Sequence, residues 1–509
     1  MDTSSQHGAD SLVELIRRRA EENGDALFLL DARSSRTVSY ASLLGHVADR
    51  EHQFRRWGLD RGERIGLAVS DPLTFSIWFF AAMAAGLWVA PLDPGASQHA
   101  ATVLERGRAL RLSAVVSEHE APAAPSSFRW HHVTDDEFDA GGAAVDVAVG
   151  ASEGGVVLSS SGTTGLPKVM VLSTPQILAT ASIIAAHHRL DESDRGFNPL
   201  PLWHVNAEVV GLLATLVAGA SLVLDEHFHR TDFWRIINDF EVTWINAVPA
   251  IVARLATAND GEVAPRRVRF VRSASAPLSP ALFEHFEAAW DVPIIQTYGM
   301  TEAASQICAT PVDGVRKAGS VGVAAGVDVR VVAHGEIVPH GVVGDVEIKG
   351  PTVITSYDSP NYEDRFTRDG WLKTGDLGHF DNDGYLFLVG RDDDVINRGG
   401  EKIHPLEVEL LLANVSGVET VAVVAAPDDV FGQVPIVFVQ PEEESVLFSL
   451  VELSALVERL RSYALESLTK VQRPTLVKVV RSLPVHATGK LRRSLLRQGD
   501  IAVVYEERL

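Results

Sequence analysis

Short apolar runs alternate with longer helical patterns through the first three quarters of the chain. The runs Arg64–Ser70 and Ser221–Leu224 are typical of short buried strands, and the segments Phe75–Ala85 and Thr174–His187 have helical patterns. A further apolar stretch, Gly154–Leu158, is typical of a strand that ends in a loop. Alternation of this kind predicts layers of helices and strands, so the expected fold class is α/β.

The pattern changes twice towards the carboxyl end. From about Ala324 to Gly350, short runs separated by turns predict a small β-rich subdomain. A charged, glycine-rich crossing, Gly390–Gly400, follows. Beyond it, Pro405 is placed to open a helix, and Thr420–Ala425 has the pattern of a strand.

A second amphipathic helix completes the predicted C-terminal unit. Its apolar residues share one face and are Leu453, Leu456, Val457, Leu460 and Ala464. The sequence therefore predicts a large N-terminal α/β domain, residues 1–392, and a small α+β domain, residues 393–509. The boundary is placed near Asp393.

One stretch resembles a membrane span. Thr74–Leu92 is nearly uncharged and about long enough to cross a bilayer. It is rich in Ala and Gly, however, and Pro91 and Pro94 lie at its end. We expect a buried helix that leads into a strand rather than a membrane span.

Composition narrows the class of protein. The 509 residues are 46% hydrophobic and 22% charged, which is ordinary for a folded protein of two or more domains. The formal net charge of −22 argues against a nucleic-acid surface, which needs clustered Lys and Arg. The single cysteine, Cys308, and a polar, acidic start without signal-peptide character predict a cytoplasmic protein.

The first candidate for chemistry is the segment Ser159–Lys168, SSSGTTGLPK, which follows the strand at 154–158. Glycines let backbone N–H groups approach phosphate oxygens, the hydroxyls add donors, and Lys168 supplies a positive charge. The segment differs from the common P-loop because no GK[ST] closes it. It predicts a polyphosphate-binding loop, and a flexible Ser/Gly linker is the alternative.

Four further clusters accompany this loop in a fixed order. They are Ser273–Leu278 (SASAPL), Gln296–Glu302 (QTYGMTE), Gly370–Asp376 (GWLKTGD), and Leu483-Pro484 followed by Gly489-Lys490. Together with the loop, they resemble the adenylate-forming superfamily of acyl-CoA synthetases, peptide-synthetase adenylation domains and luciferases. The resemblance covers essentially the whole chain. The run Ile396–Ile403 favours the acyl-CoA synthetase branch, including small-acid and oxalate-type ligases.

The resemblance implies an ATP-dependent reaction in two steps. A carboxylate is a poor acyl donor, so ATP converts it to an acyl-adenylate with release of pyrophosphate, and a thiol then displaces AMP. The implied cosubstrates and cofactor are ATP, coenzyme A and magnesium.

The resemblance also implies the nucleotide-binding residues. The phosphate-binding set is Ser160, Ser161, Gly162, Thr163, Thr164, Gly165 and Lys168. The adenine and ribose set is Ser275, Ala276, Pro277, Gln296, Thr297, Tyr298, Gly299, Met300, Asp376 and Arg391. Glu302 matches the magnesium-binding glutamate, and Thr301 beside it is expected at the α-phosphate.

Lys490 matches the catalytic lysine that bridges the carboxylate and the phosphate during adenylation, where a cation offsets the repulsion of two anions. In the family the C-terminal unit then rotates for the thiol step, and Asp393 occupies the hinge position. Gly399 and Gly400 are expected to border the pantetheine channel. Phe431 either stacks on the CoA adenine or packs in the core.

His204 matches a position that flanks the acyl pocket and shifts between the two steps, although a lone histidine is more often structural. The expected pocket residues are His204, Asn206, Asn246 and Ser273, with Trp244 and Ser275 in the same stretches. Their mixed polarity fits a small, aromatic or polyfunctional acid. Val169 and Ser173 depart from the residues usual in the family, which leaves the packing after the phosphate loop open.

The leading functional prediction is an ATP-dependent acid–CoA ligase. An enzyme that passes the acyl-adenylate to a carrier protein or partner enzyme is the first alternative. A non-catalytic acyl or nucleotide-binding scaffold is the second, and it predicts damage at Lys168, Glu302, Asp376 or Lys490, all of which are intact. No nucleic-acid partner and no membrane span are expected, and the oligomeric state stays open.

Overall fold

The computed structural model describes residues 11–97, 100–121, 128–133, 154–160, 168–256, 263–442, 449–485 and 490–508. Most of the predicted phosphate loop, residues 161–167, lies outside the described residues. So do the residues just before Lys490.

The α-helices of the described chain are α1 (Leu12–Asn23), α2 (Tyr40–Arg56), α3 (Pro72–Ala84), α4 (Pro94–Ser97), α5 (Ala100–Ala109), α6 (Thr174–His188), α7 (Ala214–Ala218), α8 (Phe233–Asp239), α9 (Pro249–Ala256), α10 (Pro280–Trp290), α11 (Pro405–Leu412), α12 (Leu450–Ser467) and α13 (Arg493–Gln498). A π-helical segment, Asn206–Leu213, precedes α7, and short 3₁₀ turns occur at Thr301–Ala303, Glu363–Arg365 and Asp392–Asp394.

The first strands are β1 (Leu27–Asp31), β2 (Thr37–Ser39), β3 (Arg64–Ala68), β4 (Trp88–Pro91), β5 (Ala114–Ser117), β6 (Arg129–His132), β7 (Gly155–Ser160), β8 (Lys168–Ser173), β9 (Arg195–Asn198), β10 (Ser221–Leu224), β11 (Trp244–Ala247), β12 (Phe270–Ser273) and β13 (Ile294–Tyr298). The remaining strands are β14 (Cys308–Ala309), β15 (Val323–Ala324), β16 (Asp328–Ala333), β17 (Glu336–Ile337), β18 (Gly344–Lys349), β19 (Leu372–Phe380), β20 (Leu386–Arg391), β21 (Ile396–Arg398), β22 (Glu401–Ile403), β23 (Val418–Asp428), β24 (Gly432–Pro441), β25 (Leu476–Val480) and β26 (Val503–Arg508).

Two of the sheets are mainly parallel and form the α/β layers. One has the order β15-β14-β13-β12-β11-β9-β10-β1-β2, in which the strands from β13 to β1 are parallel neighbours. The other has the order β6-β5-β3-β4-β7-β8, with β7 and β8 forming an antiparallel pair at its edge. Parallel neighbours align their carboxyl ends, so residues that follow β11, β12 and β13 meet at one edge of the first sheet.

The other two sheets are those predicted for the β-rich subdomain and the C-terminal unit. The five strands β17-β16-β18-β19-β20 form an antiparallel sheet. The order β22-β21-β24-β25-β26, with β23 beside β24, forms the C-terminal sheet. The predicted fold class, α/β layers with a β-rich subdomain and a small α+β C-terminal domain, is therefore confirmed.

The segment that resembled a membrane span forms α3 and β4. Asp71 caps α3 by accepting a 2.9 Å hydrogen bond from the Thr74 amide, and Pro72 occupies the first turn, so the helix begins before the predicted Phe75. The strand predicted to reach Ser70 ends at Ala68 because the Ser70 and Asp71 amides both donate to Glu118. No helix among the described residues is long and apolar enough to cross a membrane.

The apolar core is divided along the chain. One large cluster joins the two parallel sheets and the β-rich subdomain and extends to Leu386. A second cluster begins at Ile396 and includes the five residues predicted on one face of α12. The predicted boundary near Asp393 lies between these clusters and stays a prediction.

A buried ion-pair network holds the beginning of the C-terminal unit. The Arg493 guanidinium pairs with both Glu409 oxygens at 2.5 and 2.8 Å and, through Nε, with Asp394 at 3.1 Å. Arg497 also pairs with Asp394. Glu409 accepts a further 2.7 Å hydrogen bond from the Val423 amide, so this carboxylate is well satisfied. Asp394 is thereby fixed to α13.

Candidate active site

The Asp376 carboxylate lies between two side chains from different strands. Tyr298, at the end of β13, donates a 2.5 Å hydrogen bond to Asp376 Oδ2. Arg391, directly opposite Asp376 in the β19–β20 pair, donates to Oδ1 at 3.3 Å. Burial raises the pKa of Tyr298 well above its ordinary value, and the neighbouring Asp376 raises this pKa further. Tyr298 is therefore a neutral donor, and the structure brings together three residues expected to bind the nucleotide.

A second polar cluster surrounds Glu302, which is only 8% exposed. Tyr357 donates a 3.0 Å hydrogen bond to Glu302 Oε1. Lys168, at the start of β8, lies with its Nζ 5.9 Å from the Tyr357 ring centroid and 5.1 Å from that of Tyr362. Burial lowers the pKa of Lys168, the Arg365 charge lowers it further, and the Glu302 charge opposes both effects. The lysine from the predicted phosphate loop thus shares an environment with the predicted metal ligand.

The donor set at Glu302 fits magnesium. Its carboxylate is a hard oxygen ligand. In the described part of the chain no three His, Cys, Asp or Glu side chains converge into a metal-binding group. An ion held there would therefore take its other ligands from phosphate oxygens and water, as Mg²⁺ bound with a nucleotide does.

A tight turn after β13 positions Glu302. A Cβ atom on Gly299 would lie 1.3 Å from the Ser305 carbonyl oxygen, so no side chain is possible there. Ala304 and Ser305 have φ values of 50° and 101°, a backbone conformation that costs energy in residues other than glycine. The close return of the chain presents Thr301 and Glu302 directly after Tyr298. The remaining motif residues extend along this path: Gln296 and Thr297 are buried in β13, and Met300 packs partly buried against the core.

The segment after β12 also contains a residue with a left-handed backbone conformation. Ser275 has φ 73°, between buried Ala274 and partly exposed Ala276. Pro277 is exposed beside it. Thr297 Oγ1 donates to the Ser273 carbonyl at 3.4 Å, which holds this segment beside β13. The predicted adenine-bordering residues therefore follow β12, the parallel neighbour of the strand that ends at Tyr298.

The expected acyl-pocket residues converge on an arginine that the motifs did not indicate. Arg272, in β12, donates through Nη1 to Asn206 Oδ1 at 2.8 Å and to Asn246 Oδ1 at 3.1 Å. Asn246 in turn donates to Asn198 Oδ1 at 2.9 Å. His204 lies two residues before Asn206, the first residue of the π-helical segment, and Ser273 directly follows Arg272. The only signal in the sequence is a charged residue inside the apolar run of β12.

Ser160 ends β7, and Lys168 begins β8 directly opposite it. The intervening Ser161, Gly162, Thr163, Thr164 and Gly165 lie outside the described residues. The missed neighbours Tyr357, Tyr362 and Arg365 belong to a loop between β18 and β19 that none of the five motifs includes. Only the folded chain places this loop against Lys168.

The predicted C-terminal site residues are more exposed. Lys490 is exposed, and no described residue forms an ion pair with it. Asp393 is exposed in the 3₁₀ turn Asp392–Asp394. The structure does not itself assign a role to either residue.

Gly399 and Gly400 form the turn between β21 and β22, with φ values of 59° and 94°. These left-handed conformations favour glycine whatever else the turn does. Phe431 is 45% exposed, so it is not a core residue. Its carbonyl accepts a 2.8 Å hydrogen bond from the Gly399 amide, and the Arg398 guanidinium carbon lies 5.2 Å from its ring centroid.

Comparison with known proteins agrees with this arrangement. The family model described as AMP-binding enzyme matches residues 16–358, and the model described as AMP-binding enzyme C-terminal domain matches residues 407–490. A sulfoacetate–CoA ligase of Cupriavidus necator is 31% identical over 95% of this chain and 97% of its own length. An oxalate–CoA ligase of Arabidopsis thaliana is 31% identical over 87% of this chain and 89% of its own.

A solved structure extends the similarity to the fold. The o-succinylbenzoate CoA synthetase of Bacillus subtilis, in complex with its acyl-adenylate intermediate, superposes with a TM-score of 0.81 at 25% identity, covering 95% of this chain and 97% of that one. The same enzyme has also been solved with ATP and a magnesium ion. The chain therefore belongs to the AMP-binding enzyme family and is an AMP-forming acid–CoA ligase that uses ATP, magnesium and coenzyme A.

Proposed function

We propose that the two polar clusters form one nucleotide site, in which Asp376 binds the ribose and Glu302 and Lys168 serve the phosphate end. The observation that carries this proposal is the Tyr298–Asp376–Arg391 contact. Tyr298 and Arg391 orient the Asp376 carboxylate, and an oriented carboxylate can accept hydrogen bonds from both ribose hydroxyls. The tight turn after Tyr298 then leads in three residues to Thr301, which we assign to the α-phosphate, and in four to Glu302.

At the phosphate end, Glu302 would hold a magnesium ion. When bound, this ion would neutralise part of the phosphate charge. Lys168 would act on the β and γ phosphates together with donors from the Ser160–Gly165 loop. Burial already disfavours the charge on Lys168, so an approaching polyphosphate gains a cation that is poorly satisfied by the protein alone. The sequence of this loop is the basis for assigning its backbone N–H groups to the phosphate oxygens.

The adenylation step needs a cation where two anions meet. The substrate carboxylate must approach the anionic α-phosphate before its oxygen can displace pyrophosphate. We assign Lys490 to this position, where its positive charge would offset the repulsion between the two anions. Its exposed position is suited to a residue on a unit that changes orientation. We infer a hinge at Asp393, between the two apolar cores.

For the second step, the thiol sulfur attacks the acyl carbon and AMP leaves with the electron pair of the broken C–O bond. We assign the Gly399–Gly400 turn to the pantetheine path and Phe431 to the CoA adenine. Support comes from the half-exposed Phe431 ring beside the turn and from the Arg398 guanidinium on the ring, which adds a positive charge for CoA phosphates. A cytoplasmic location is proposed from the single, fully buried cysteine.

The acid is the remaining question. The acids named for the relatives, sulfoacetate, oxalate and o-succinylbenzoate, each carry a second acidic group besides the carboxyl group that is activated. This pattern favours an acid with two anionic groups for this chain. The polar lining of the expected acyl pocket, with Asn206 and Asn246, supports the same class.

One assay tests the assignment of the nucleotide site. Pyrophosphate release and CoA-dependent thioester formation are measured separately on the purified protein with a panel of carboxylic acids, for the native chain and for Asp376→Ala. We expect both activities in the native chain, and a rise in the ATP KM of about tenfold or more in the variant. Asp369→Ala, an exposed residue of the same subdomain, is the control. An unchanged ATP KM in Asp376→Ala would refute the ribose assignment.

A further inference from the structure

We propose that Arg272 is the specificity-determining residue of the acyl pocket and that it binds the second anionic group of the acid substrate, a carboxylate or a sulfonate. This inference rests on the proposed function, because it takes the acyl site to lie beside His204, Asn206 and Ser273. It adds the residue and the charge requirement that decide which acids are accepted.

Among the described residues, Arg272 is a buried cation without a carboxylate counterion. Its side chain is among the largest that are fully buried, with the residue 1% exposed. None of the described carboxylates forms an ion pair with it, and its two hydrogen-bond partners in the described structure, Asn206 and Asn246, are neutral amides. Burial lowers the pKa of Arg272 to about 9. A buried charge is normally paired, so a site of this kind is incomplete without an anion.

Arg272 and its neighbour Asn206 each retain a hydrogen-bond donor without a partner. Arg272 Nε and Asn206 Nδ2 are both buried, and neither has a hydrogen-bond partner in the described structure. Asn206 and Asn246 turn their amide oxygens towards the guanidinium, so those acceptors are already used. These two donors lack an acceptor, and an anionic oxygen group is a strong acceptor for such donors.

The other ionisable groups near Arg272 do not supply that anion. His187 and His188 lie on α6, and the Arg272 charge, added to burial, lowers the pKa of each. Both are therefore neutral beside it. Glu208, two residues after Asn206, is fully buried with both oxygens unpartnered, and burial raises its pKa well above the ordinary value. Glu208 makes no ion pair with Arg272, so the positive charge is available to a ligand.

The strand register explains why this arginine faces the acid. Arg272 is paired with Asn246 in the parallel sheet, and the two side chains lie on the same face as Asn198. The π-helical segment covers that face and brings Asn206 to Arg272. Ser273, the next residue, begins the turn towards the adenine-bordering segment. Arg272 therefore stands one residue from the nucleotide site, on the side where the expected acyl residues lie.

The test compares acids that differ only in the second charge. Pyrophosphate release is measured for malonate and malonamate, for succinate and succinamate, and for sulfoacetate and its sulfonamide analogue. The native enzyme is expected to prefer the doubly anionic member of at least one pair by about 10- to 100-fold in kcat/KM. Carboxylate and sulfonate pairs distinguish the two forms of the second anion.

Substitution then assigns that preference to Arg272. Arg272→Met keeps an unbranched apolar side chain and removes the charge. It should abolish the preference by lowering kcat/KM for the doubly anionic acid while leaving that for the singly charged analogue within about twofold. Arg272→Lys should retain part of the preference. Arg269→Gln, which removes an arginine ion-paired to Asp194 just before β12, should change neither value.

Three results would overturn the inference. They are a native enzyme that prefers the singly charged member of every pair, a preference that survives in Arg272→Met, and an equal loss for both members of a pair in a folded variant. Because the native selectivity needs no variant, a poorly folded Arg272→Met leaves the first criterion in force. If none of the acids, doubly or singly charged, supports pyrophosphate release, the proposed function is refuted, and the inference with it.

Discussion

The Tyr357 hydroxyl donates a 3.0 Å hydrogen bond to Oε1 of Glu302. The two residues are far apart in the sequence and neither is exposed, so the contact is made only by the folded chain. Burial raises the pKa of Tyr357, and the Glu302 charge raises it further. The phenol therefore stays protonated and orients one carboxylate oxygen of Glu302, the residue that we propose as the magnesium ligand.

Removing the charge of Glu302 should impair use of magnesium–ATP. Glu302→Gln keeps the side-chain volume and removes one anionic ligand, so the adenylation rate should fall by about 100-fold, with a higher magnesium concentration needed for half-maximal rate. Pyrophosphate release is measured against magnesium concentration, with exposed Glu363→Gln as the control. A native magnesium curve in Glu302→Gln would contradict the assignment.

Lys490 should matter for only one of the two steps. Lys490→Ala is expected to lower acyl-adenylate formation by about 100-fold or more, since a positioned cation on a developing anionic transition state is worth a few kcal/mol. The same variant given preformed acyl-adenylate and CoA should still form thioester. The exposed Lys470→Ala serves as the control.

Two outcomes would count against that reading of Lys490. Retained adenylation would show that another cation performs the step. Loss of thioester formation as well would contradict the use of two orientations, provided that circular dichroism shows an intact C-terminal domain.

A rigid residue at the proposed hinge should slow the thiol step more than adenylation. Asp393→Pro fixes φ in the turn Asp392–Asp394, whereas Asp393→Ala removes the same carboxylate and leaves the backbone free. We expect the proline variant to lose about tenfold or more in thioester formation from preformed acyl-adenylate, with the alanine variant near native. Equal effects on both half-reactions would place the hinge elsewhere.

The buried histidine His188 should make the fold sensitive to acid. Burial, with the charge of Arg272, lowers the pKa of His188 well below the ordinary value. The folded state therefore holds this imidazole neutral, while the unfolded state takes up a proton below about pH 6.5. Its contribution to stability is therefore present above pH 6.5 and is lost as the pH falls towards the folded pKa. The loss can reach about 1.4 kcal/mol per pH unit for one group.

This prediction is checked by urea unfolding at pH 8 and pH 5.5. His188→Gln should show a smaller loss of the free energy of unfolding between the two pH values than the native chain. His285→Gln, at an exposed position of α10, should retain the native difference. An unaltered pH dependence in His188→Gln would assign the acid sensitivity to other groups, such as His46, whose pKa burial also lowers.

Local patterns predicted much of the fold. The strand at Ser221–Leu224 and the helix opened by Pro405 are present as expected, because a short apolar run and a proline at the first helical position act within one element. The start of α3 was placed too late because the capping residue, Asp71, lies outside the apolar run. The strand before it was extended too far, because its end depends on Glu118, a residue distant in sequence.

The site could be predicted only where one motif holds several residues. Tyr298 and Glu302 belong to a single string, and Asp376 to another, so the resemblance predicts all three, and the structure brings Tyr298 to Asp376. Tyr357 and Arg272 lie in no such string, and their importance comes from contacts across the fold. For Arg272 the decisive property is that no described carboxylate forms an ion pair with it, which no local pattern can express.

The ion pairs on either side of the turn Asp392–Asp394 mark the boundary between the β-rich subdomain and the C-terminal unit more sharply than the turn itself does. Arg391 is tied to Asp376 in the β-rich subdomain, while Asp394, three residues later, is tied to Arg493 and Arg497 in α13. If both attachments persist during the reaction, one body ends at Arg391 and the other begins at Asp394. The joint between them is then two residues long. Any rotation of one body against the other must come from the φ and ψ torsions of Asp392 and Asp393 and from the torsions that connect them to Arg391 and Asp394.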